Sequence, residues 1–308
     1  MSKQERFLIP FILIVLLIPL SGSRFYVFMA TDIMIVGLFA VSLNLLLGYT
    51  GLVSFGHAAF FGIGAYTCAL LMKKASVVFG LAFVAAGIFG AVAALIIGFF
   101  CIRLTKIYFA MLTLAFSQIV WATVFKWNSL TGGDTGFIGI DFPRHLDSPI
   151  RFYYFTFIVV AICLYIIRKM VNAPFGRMLT TIRENPERTE FIGINVKLFQ
   201  LVAFMISGFF SALAGALFGI FNHSIFPDLL FWPASAEVLI MTILGGMYSF
   251  YGPVVGAAVL LFLRMQVGSQ TQYWPLILGT FLAVLLFFFP GGIMGFLQSQ
   301  LTRLRGVK

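Results

Sequence analysis

Three ionisable residues, Asp32, Glu237 and Arg264, lie within or beside long apolar runs of this sequence. Carboxylates and guanidinium groups in such runs face a cavity, pair with each other or bind a transported ion. For two of these residues a purely structural role stays open. Asp32 is expected at a span boundary, and Glu237 can cap a helix that starts near Ser235. No partner is predicted for Arg264. These residues alone give only thin support for ion-coupled transport.

The sequence holds no recognisable catalytic constellation. It contains no Walker A pattern, no Gly-x-Ser-x-Gly, no His-Glu-x-x-His and no paired carboxylates at helical spacing. The histidines are far apart, and the cysteines lie in or beside apolar runs without metal-ligand spacing. These residues are His57, His145, His223, Cys68, Cys101 and Cys163. We therefore predict no catalytic residue, metal or cofactor, and no ATP hydrolysis by this chain itself.

A polar, glycine-rich stretch at 44–66 interrupts the apolar pattern. Its glycines permit close backbone approach, and non-helical backbone at membrane depth occurs where it is buried in protein or lines a cavity. The stretch therefore indicates either a substrate pathway or a tight helical hairpin packed on small residues. On the first interpretation, the predicted pathway residues are Asn44, Ser54, His57 and, from a second stretch, Ser249.

Two glycine-rich segments about 195 residues apart resemble each other. Leu-Gly followed by Ser-Phe-x-His at 47–57 is similar to Leu-Gly followed by Ser-Phe-x-Gly at 244–252. Paired interruptions of this kind indicate a transport site, although chance similarity between glycine-rich turns is the alternative. We call residues 47–57 the first break and residues 245–253 the second break.

One charged segment separates long apolar runs. Residues 168–197 hold nine of the thirty charged residues, and six of the nine are Lys or Arg. The positive-inside rule places such a segment on the cytoplasmic face. We call residues 171–197 the elbow. An ordinary topogenic loop is the alternative interpretation.

The elbow has the pattern of two short helices. Met178, Leu179 and Ile182 share one face of the first helix. Its other face is predicted to carry Arg177, Thr181, Arg183 and Glu184. Asn185-Pro186-Glu187 has the order of an N-cap, a first-turn proline and an early acidic residue, so it predicts the start of the second helix. Gly193 suits the end of that helix.

The composition indicates an all-α polytopic membrane protein. The chain of 308 residues is 61% hydrophobic and 10% charged, with a mean hydropathy of +1.05. The net charge of +10 is scattered at span ends, which favours membrane topology and disfavours nucleic acid. No cleavage site follows the first span, so we expect it to be retained.

About ten spans, some of them short or broken, are predicted in a single domain over residues 1–308. They cover about 7–20, 32–48, 56–72, 77–102, 108–125, 152–167, 198–221, 234–244, 254–265 and 274–289. This count places the elbow and both termini in the cytoplasm. Residues 126–151, the outer loop, then lie outside, which fits their lack of a positive bias. Lys73 and Lys74 also fall outside on this count, against the positive-inside rule.

Four motifs together resemble a known family. The first is Leu-Asn-Leu-Leu-Leu-Gly-Tyr-Thr-Gly at 43–51, continued by Ser-Phe-Gly-His-Ala-Ala-Phe-Phe-Gly-Ile-Gly-Ala-Tyr at 54–66. The others are Gly-Arg to Gly-Ile-Asn-Val at 176–196, Gly-Gly-Met-Tyr-Ser at 245–249, and Phe-Pro-Gly-Gly at 289–292. They resemble the permeases of branched-chain amino acid ABC transporters, of the LivM type, over about residues 32–295.

The resemblance implies an inner-membrane permease subunit of a bacterial importer. Its implied partners are a sister permease of the LivH type, two ABC ATPase subunits, a periplasmic or lipid-anchored substrate-binding protein and membrane lipid. The elbow would dock on an ATPase, and the predicted coupling residues are Arg177, Arg183, Glu184, Asn185 and Glu187. Pro186 and Thr189 depart from the family pattern, which leaves the geometry of the second helix open.

The sequence leaves alternatives open for the substrate and for the class of protein. Urea and short-amide permeases share the same motifs, so the resemblance does not fix the substrate. A self-sufficient secondary transporter or channel would depend on Asp32 and Glu237 for ion coupling. A membrane scaffold without transport activity is disfavoured by the elbow.

Overall fold

The structure is a computed structural model, and it describes residues 18–21, 23–104, 106–140, 146, 148–268, 276, 279–280 and 291–296. Five helices in this part of the chain are long and apolar enough to cross a membrane. Two shorter apolar helices follow them, so the fold class of an all-α polytopic membrane protein is confirmed.

The main helices run in chain order as follows. The first part of the chain forms α1 (Arg24–Asn44), a π-helical turn (Leu45–Thr50), α2 (His57–Lys73), α3 (Phe79–Cys101), α4 (Lys106–Lys126) and the one-turn α5 (Asn128–Thr131). The middle part forms α6 (Pro149–Asn172), α7 (Pro174–Glu184), α8 (Pro186–Phe191) and α9 (Val196–Phe221). The last described helices of this series are α10 (Trp232–Gly245) and α11 (Gly252–Gly268).

Small residues allow α9 to occupy the centre of the fold. It packs against both α2 and α3. A side chain at Gly64 would collide with the backbone of Ala212, and one at Gly215 would collide with the carbonyl of Phe61. Close backbone approach through small residues is the usual means of packing helices in membranes. The span at about 198–221 is therefore an interior packing helix.

The outer loop closes over the far end of α2. Its two-residue strand β1 (Phe137–Ile138) pairs antiparallel with β2 (Ser224–Ile225). The ammonium group of Lys73 donates to the carbonyl of Ile138 at 2.7 Å, and that of Lys74 donates to the carbonyl of Ser129 at 2.7 Å. These two lysines cap loop carbonyls, which accounts for basic residues at this end of the helix.

Eight of the predicted spans match described helices, with ends shifted by a few residues in most cases. The clear exception is α1, which begins at Arg24, eight residues before the predicted start. Asp32 therefore lies two turns inside a helix, and its predicted position at a span boundary is wrong. The spans at about 7–20 and 274–289, both termini and His145 lie largely or wholly outside the described residues.

Candidate functional site

The first break is a change of backbone geometry at the end of α1. The helix widens into the π-helical turn, and Gly51 then adopts a left-handed conformation with φ +74°. A side chain at Gly51 would press on Arg183, so both the backbone angle and the space favour glycine there. Irregular, non-helical backbone continues to His57, where α2 starts.

The second break separates α10 from α11. Gly246 has a φ of +109°, which favours glycine, and it ends α10. Gly245 and Gly252 approach so closely that a side chain at either position would collide with the other segment's backbone. Since α10 and α11 each have fewer than eighteen residues, the prediction of short, interrupted helices here is confirmed.

The two breaks contact each other across the fold. Nδ2 of Asn44 donates to the carbonyl of Ser249 at 3.4 Å, although the two residues are 205 positions apart. Gly48 lies directly against the carbonyl of Met247. Oδ1 of Asn44 is buried and has no hydrogen-bond partner among the described residues. Two of the four predicted pathway residues thus meet at the junction of the breaks.

The other two predicted pathway residues, Ser54 and His57, are completely buried. Oγ of Ser54 accepts from the backbone N–H of Gly56 at 3.3 Å. Nε2 of His57 lies 2.9 Å from Oγ of Ser42, whose hydroxyl already donates to the carbonyl of Phe39. His57 Nε2 therefore acts as the donor to Ser42, which leaves Nδ1 as a buried acceptor without a partner among the described residues.

The elbow forms the two short helices expected from its sequence. Leu179 and Ile182 lie on the inner face of α7 and are completely buried. Oδ1 of Asn185 accepts from the backbone N–H of Arg188 at 2.9 Å, so Asn185 caps α8 as predicted. Pro186 occupies the first turn of α8, and the hydroxyl of Thr189 donates to the carbonyl of Asn185. The residues that depart from the family pattern therefore fit a regular capped helix.

Arg183 is the exception to the predicted charged face of α7. Its side chain turns inward and is only partly exposed. The guanidinium donates to the carbonyl of Gly48 in the first break and lies 5.2 Å from the ring centroid of Tyr248 in the second break. The prediction that Arg183 faces outward with its neighbours is wrong, because the backbone carbonyl and the aromatic ring attract the cation.

A second arginine also contacts the second break. Nη1 of Arg168, near the end of α6, donates to the hydroxyl of Tyr251 at 2.7 Å. Sequence reasoning missed both tyrosines as arginine partners. The available signal was the Gly-Gly-Met-Tyr-Ser motif, which places Tyr248 inside the second break.

The remaining predicted coupling residues, Arg177, Glu184, Asn185 and Glu187, are exposed on the elbow. Phe191 and Ile192, at the end of α8, are also strongly exposed, with Phe191 at 90%. Charged side chains around an exposed apolar pair are typical of a surface that contacts another protein.

The three ionisable residues of the apolar runs come together, which the sequence did not indicate. Nη1 of Arg264 on α11 lies 3.1 Å from Oε1 of Glu237 on α10. Asp32 on α1 is close enough to interact electrostatically with both. Ser235 does not cap a helix here, since its hydroxyl accepts from the backbone N–H of Ala58 and α10 begins at Trp232.

A predominantly helical membrane chain with two contacting helix breaks joined to a charged surface elbow has the features of a polytopic transport protein. The family model described as branched-chain amino acid transport system, permease component, matches residues 25–290. The chain belongs to this family, and the prediction of a LivM-type permease is confirmed.

Curated relatives match over most of their length. The LivM permease protein of the high-affinity branched-chain amino acid transport system of Escherichia coli K12 is 28% identical, covering 99% of this chain and 78% of the relative. Its counterpart from Salmonella typhimurium is 29% identical, covering 97% and 77%. A probable LivM permease protein from Methanocaldococcus jannaschii is 25% identical, covering 70% and 74%. No solved structure matches this chain.

Proposed function

We propose that this chain is the membrane-spanning permease subunit of a binding-protein-dependent ABC importer for branched-chain amino acids. Family membership and the names of the relatives support the substrate class. The proposal places the whole chain, residues 1–308, in one permease domain of a bacterial inner membrane, with both termini in the cytoplasm. Companion subunits hydrolyse the ATP, and this chain performs no catalysis.

The observation that carries the proposal is the position of Arg183. Its backbone belongs to the elbow, while its guanidinium contacts Gly48 in the first break and Tyr248 in the second break. A displacement of the elbow therefore acts directly on both interruptions of the membrane helices. Motion is transmitted between distant sites by elements that have two discrete arrangements, and we propose that the two breaks are such elements.

The proposed cycle starts at the exposed surface of the elbow. Arg177, Glu184, Asn185 and Glu187 contact an ATPase subunit, and ATP-driven closure of the two ATPases moves the elbow. Arg183 transmits the motion to the breaks. Separation of the breaks ruptures the hydrogen bond from Asn44 to Ser249 and exposes these polar groups to the substrate pathway.

Ser54 and His57 belong to the same proposed pathway, but they do not take part in the contact between Asn44 and Ser249. Ser54 and His57 are both buried where the first break meets α1 and α2, and Nδ1 of His57 has no hydrogen-bond partner among the described residues. A buried polar group without a partner gains a hydrogen bond when water or substrate reaches it. We therefore assign them to the part of the pathway that becomes wet only when the breaks separate.

The proposed assembly contains this chain, a sister permease of the LivH type, two ABC ATPases and a substrate-binding protein outside the membrane. Affinity capture of the tagged chain from its native membrane, followed by mass spectrometry, tests this composition. ATPases and a second permease are expected with the tagged chain. A chain that is captured alone, with uptake that collapses with the proton gradient instead of with ATP, would sink the proposal.

The substrate class needs a separate test, because urea and short-amide permeases resemble this family. Uptake of labelled leucine by cells that express the whole assembly is expected to be competed by isoleucine and valine and unaffected by urea or acetamide. Competition by the amides alone would assign the other substrate class.

A further inference from the structure

The second break carries two tyrosines, and each of them contacts an arginine. The guanidinium of Arg183 on α7 lies 5.2 Å from the ring centroid of Tyr248. Nη1 of Arg168 on α6 donates to the hydroxyl of Tyr251 at 2.7 Å, and the same guanidinium lies 5.4 Å from the centroid of that ring. The second break is therefore fixed to the membrane-spanning α6 as well as to the elbow.

The contact between Arg168 and Tyr251 combines two attractive interactions. A hydrogen bond from a charged donor is stronger than one between neutral groups, and a guanidinium close to an aromatic ring is attracted by the electrons of the ring. Both side chains are only partly exposed, so water competes less for them than it does at a fully exposed pair. Loss of this contact therefore favours release of the second break from α6.

The two arginines lie on either side of a tight corner between α6 and α7. Ala173, the residue at the corner, has an extended backbone. A side chain at Gly176 would collide with the carbonyl of Val171, so the two helices pack backbone against backbone there. We expect the end of α6 and the whole of α7 to move together, because close-packed segments transmit displacement. A displacement of the elbow then acts on the second break at two points, three residues apart.

The other end of the second break packs against the glycines of the Phe-Pro-Gly-Gly motif. A side chain at Gly292 would collide with the backbone of Gly246, and one at Gly246 would press on the carbonyl of Gly291. The carbonyl of Gly246 also accepts from the backbone N–H of Ser249 at 3.1 Å, which closes a turn. The second break is thus held by backbone packing where it begins and by arginines at its two tyrosines.

The hydrogen bond that joins the two breaks lies between the two tyrosines. Ser249, whose carbonyl accepts from Nδ2 of Asn44 at 3.4 Å, directly follows Tyr248 and precedes Tyr251 by two positions. That hydrogen bond is long, whereas the one from Arg168 to Tyr251 is short. The arginine contacts therefore contribute more than Asn44 to holding Ser249 in place.

We infer that Arg168 is a positioning residue that acts through Tyr251 and keeps the two breaks together while the substrate pathway is closed. The pathway opens when the elbow moves the corner that carries both arginines. Release of Tyr251 from Arg168 opens the pathway without ATP. The inference rests on the proposed function and assigns the regulation of its pathway to a contact outside the elbow.

The test uses the complete transporter in proteoliposomes and measures two quantities, the leak of labelled leucine without ATP and the ATP-driven uptake. Arg168→Met is expected to raise the leak roughly tenfold, because it removes a charge-assisted hydrogen bond, and to lower ATP-driven uptake. Lys169→Met is the matched control, since it removes the same charge from the next, exposed position of α6 and should leak like the wild type. Lower uptake in Arg168→Met without a higher leak would leave the residue a structural role and overturn the inference.

A milder variant keeps the test decisive if Arg168→Met prevents assembly. Tyr251→Phe removes the hydroxyl and keeps the ring, so the leak is expected to rise severalfold, by less than in Arg168→Met. Tyr165→Phe, which removes an exposed hydroxyl from α6, is its control. The double variant should leak no more than Arg168→Met alone, because both changes remove the same hydrogen bond.

Two further results separate the failure of this inference from the failure of the proposed function. Additive leaks in the double variant, or an unchanged leak in Tyr251→Phe, would overturn the inference and leave the importer standing. A wild-type complex without ATP-driven leucine uptake would overturn the proposed function, and the inference with it.

Discussion

The guanidinium of Arg183 donates a hydrogen bond to the carbonyl of Gly48, which lies 135 positions earlier in the chain. The bond joins a surface helix of the elbow to the π-helical turn that ends a membrane-spanning helix. The same guanidinium lies over Tyr248 in the second break. One side chain thus connects the elbow, which we propose to lie in the cytoplasm, to both interruptions of the membrane helices.

Arg183→Gln is expected to uncouple ATP hydrolysis from uptake. The neutral amide loses both the charge-assisted hydrogen bond to Gly48 and the contact with Tyr248, and hydrogen bonds to charged groups contribute about 1.5–3 kcal/mol. Leucine uptake should fall roughly tenfold or more while the ATPases stay bound. Arg177→Gln, on the exposed side of α7, is the comparison and should weaken ATPase retention instead. Identical behaviour of the two variants would contradict the assignment.

Charge reversal on the exposed elbow is expected to release the ATPase subunits. Glu187→Lys places a positive charge on the surface that we propose to contact an ATPase subunit. Mismatched charges at an interface cost several kcal/mol. Affinity capture of the variant should recover the sister permease without ATPases. Asp134→Lys makes the same charge change on the exposed outer loop and serves as the control. Equal ATPase recovery from both variants would argue against docking at this surface.

Asn185→Ala is expected to destabilise α8 locally. The alanine removes the acceptor for the backbone N–H of Arg188, and loss of an N-cap costs about 1 kcal/mol. Hydrogen exchange of the amides in residues 187–191 should accelerate about fivefold, which follows from that energy. Asn185→Asp keeps the acceptor and should exchange like the wild type. Unchanged protection in the alanine variant would mean that packing alone holds the helix.

Gly64→Ala is expected to destabilise the crossing of α2 and α9. The added methyl group would collide with the backbone of Ala212, and overpacking of this kind costs about 1–3 kcal/mol. Thermal unfolding of the purified chain in detergent should therefore begin at a lower temperature. Gly80→Ala is the matched control, because a side chain there meets nothing within 4 Å. Since alanine favours a helix more than glycine does, a control that destabilises equally would show that the loss does not come from the packing at Gly64.

Site-directed labelling tests on which side of the membrane the outer loop and the elbow lie. A membrane-impermeant maleimide should label Ser129→Cys on intact cells and Thr181→Cys only after permeabilisation. The native cysteines, Cys68, Cys101 and Cys163, are buried and should give little background. Labelling of both positions from outside would contradict the topology proposed for the elbow.

Local signals in the sequence were sufficient for several features of the fold. The N-cap, the first-turn proline and the terminal glycine of a helix are local signals. The helix α8 could therefore be predicted from Asn185, Pro186, Glu187 and Gly193 alone. The small residues of α9 likewise indicate a helix that neighbours approach closely, whatever those neighbours are. The start of α1 was missed by eight residues, although residues 24–31 are mostly apolar.

Contacts between distant segments could not be read in the same way. The sequence by itself determined that the chain spans a membrane, where the elbow lies and where the helices break, because composition, helical period and capping are local properties. Only the tertiary structure decided that Arg183 turns inward to both breaks, that Asn44 meets Ser249, and that Asp32 joins Glu237 and Arg264. Each of these pairings depends on how three or more helices pack, and no one-dimensional pattern encodes which faces meet.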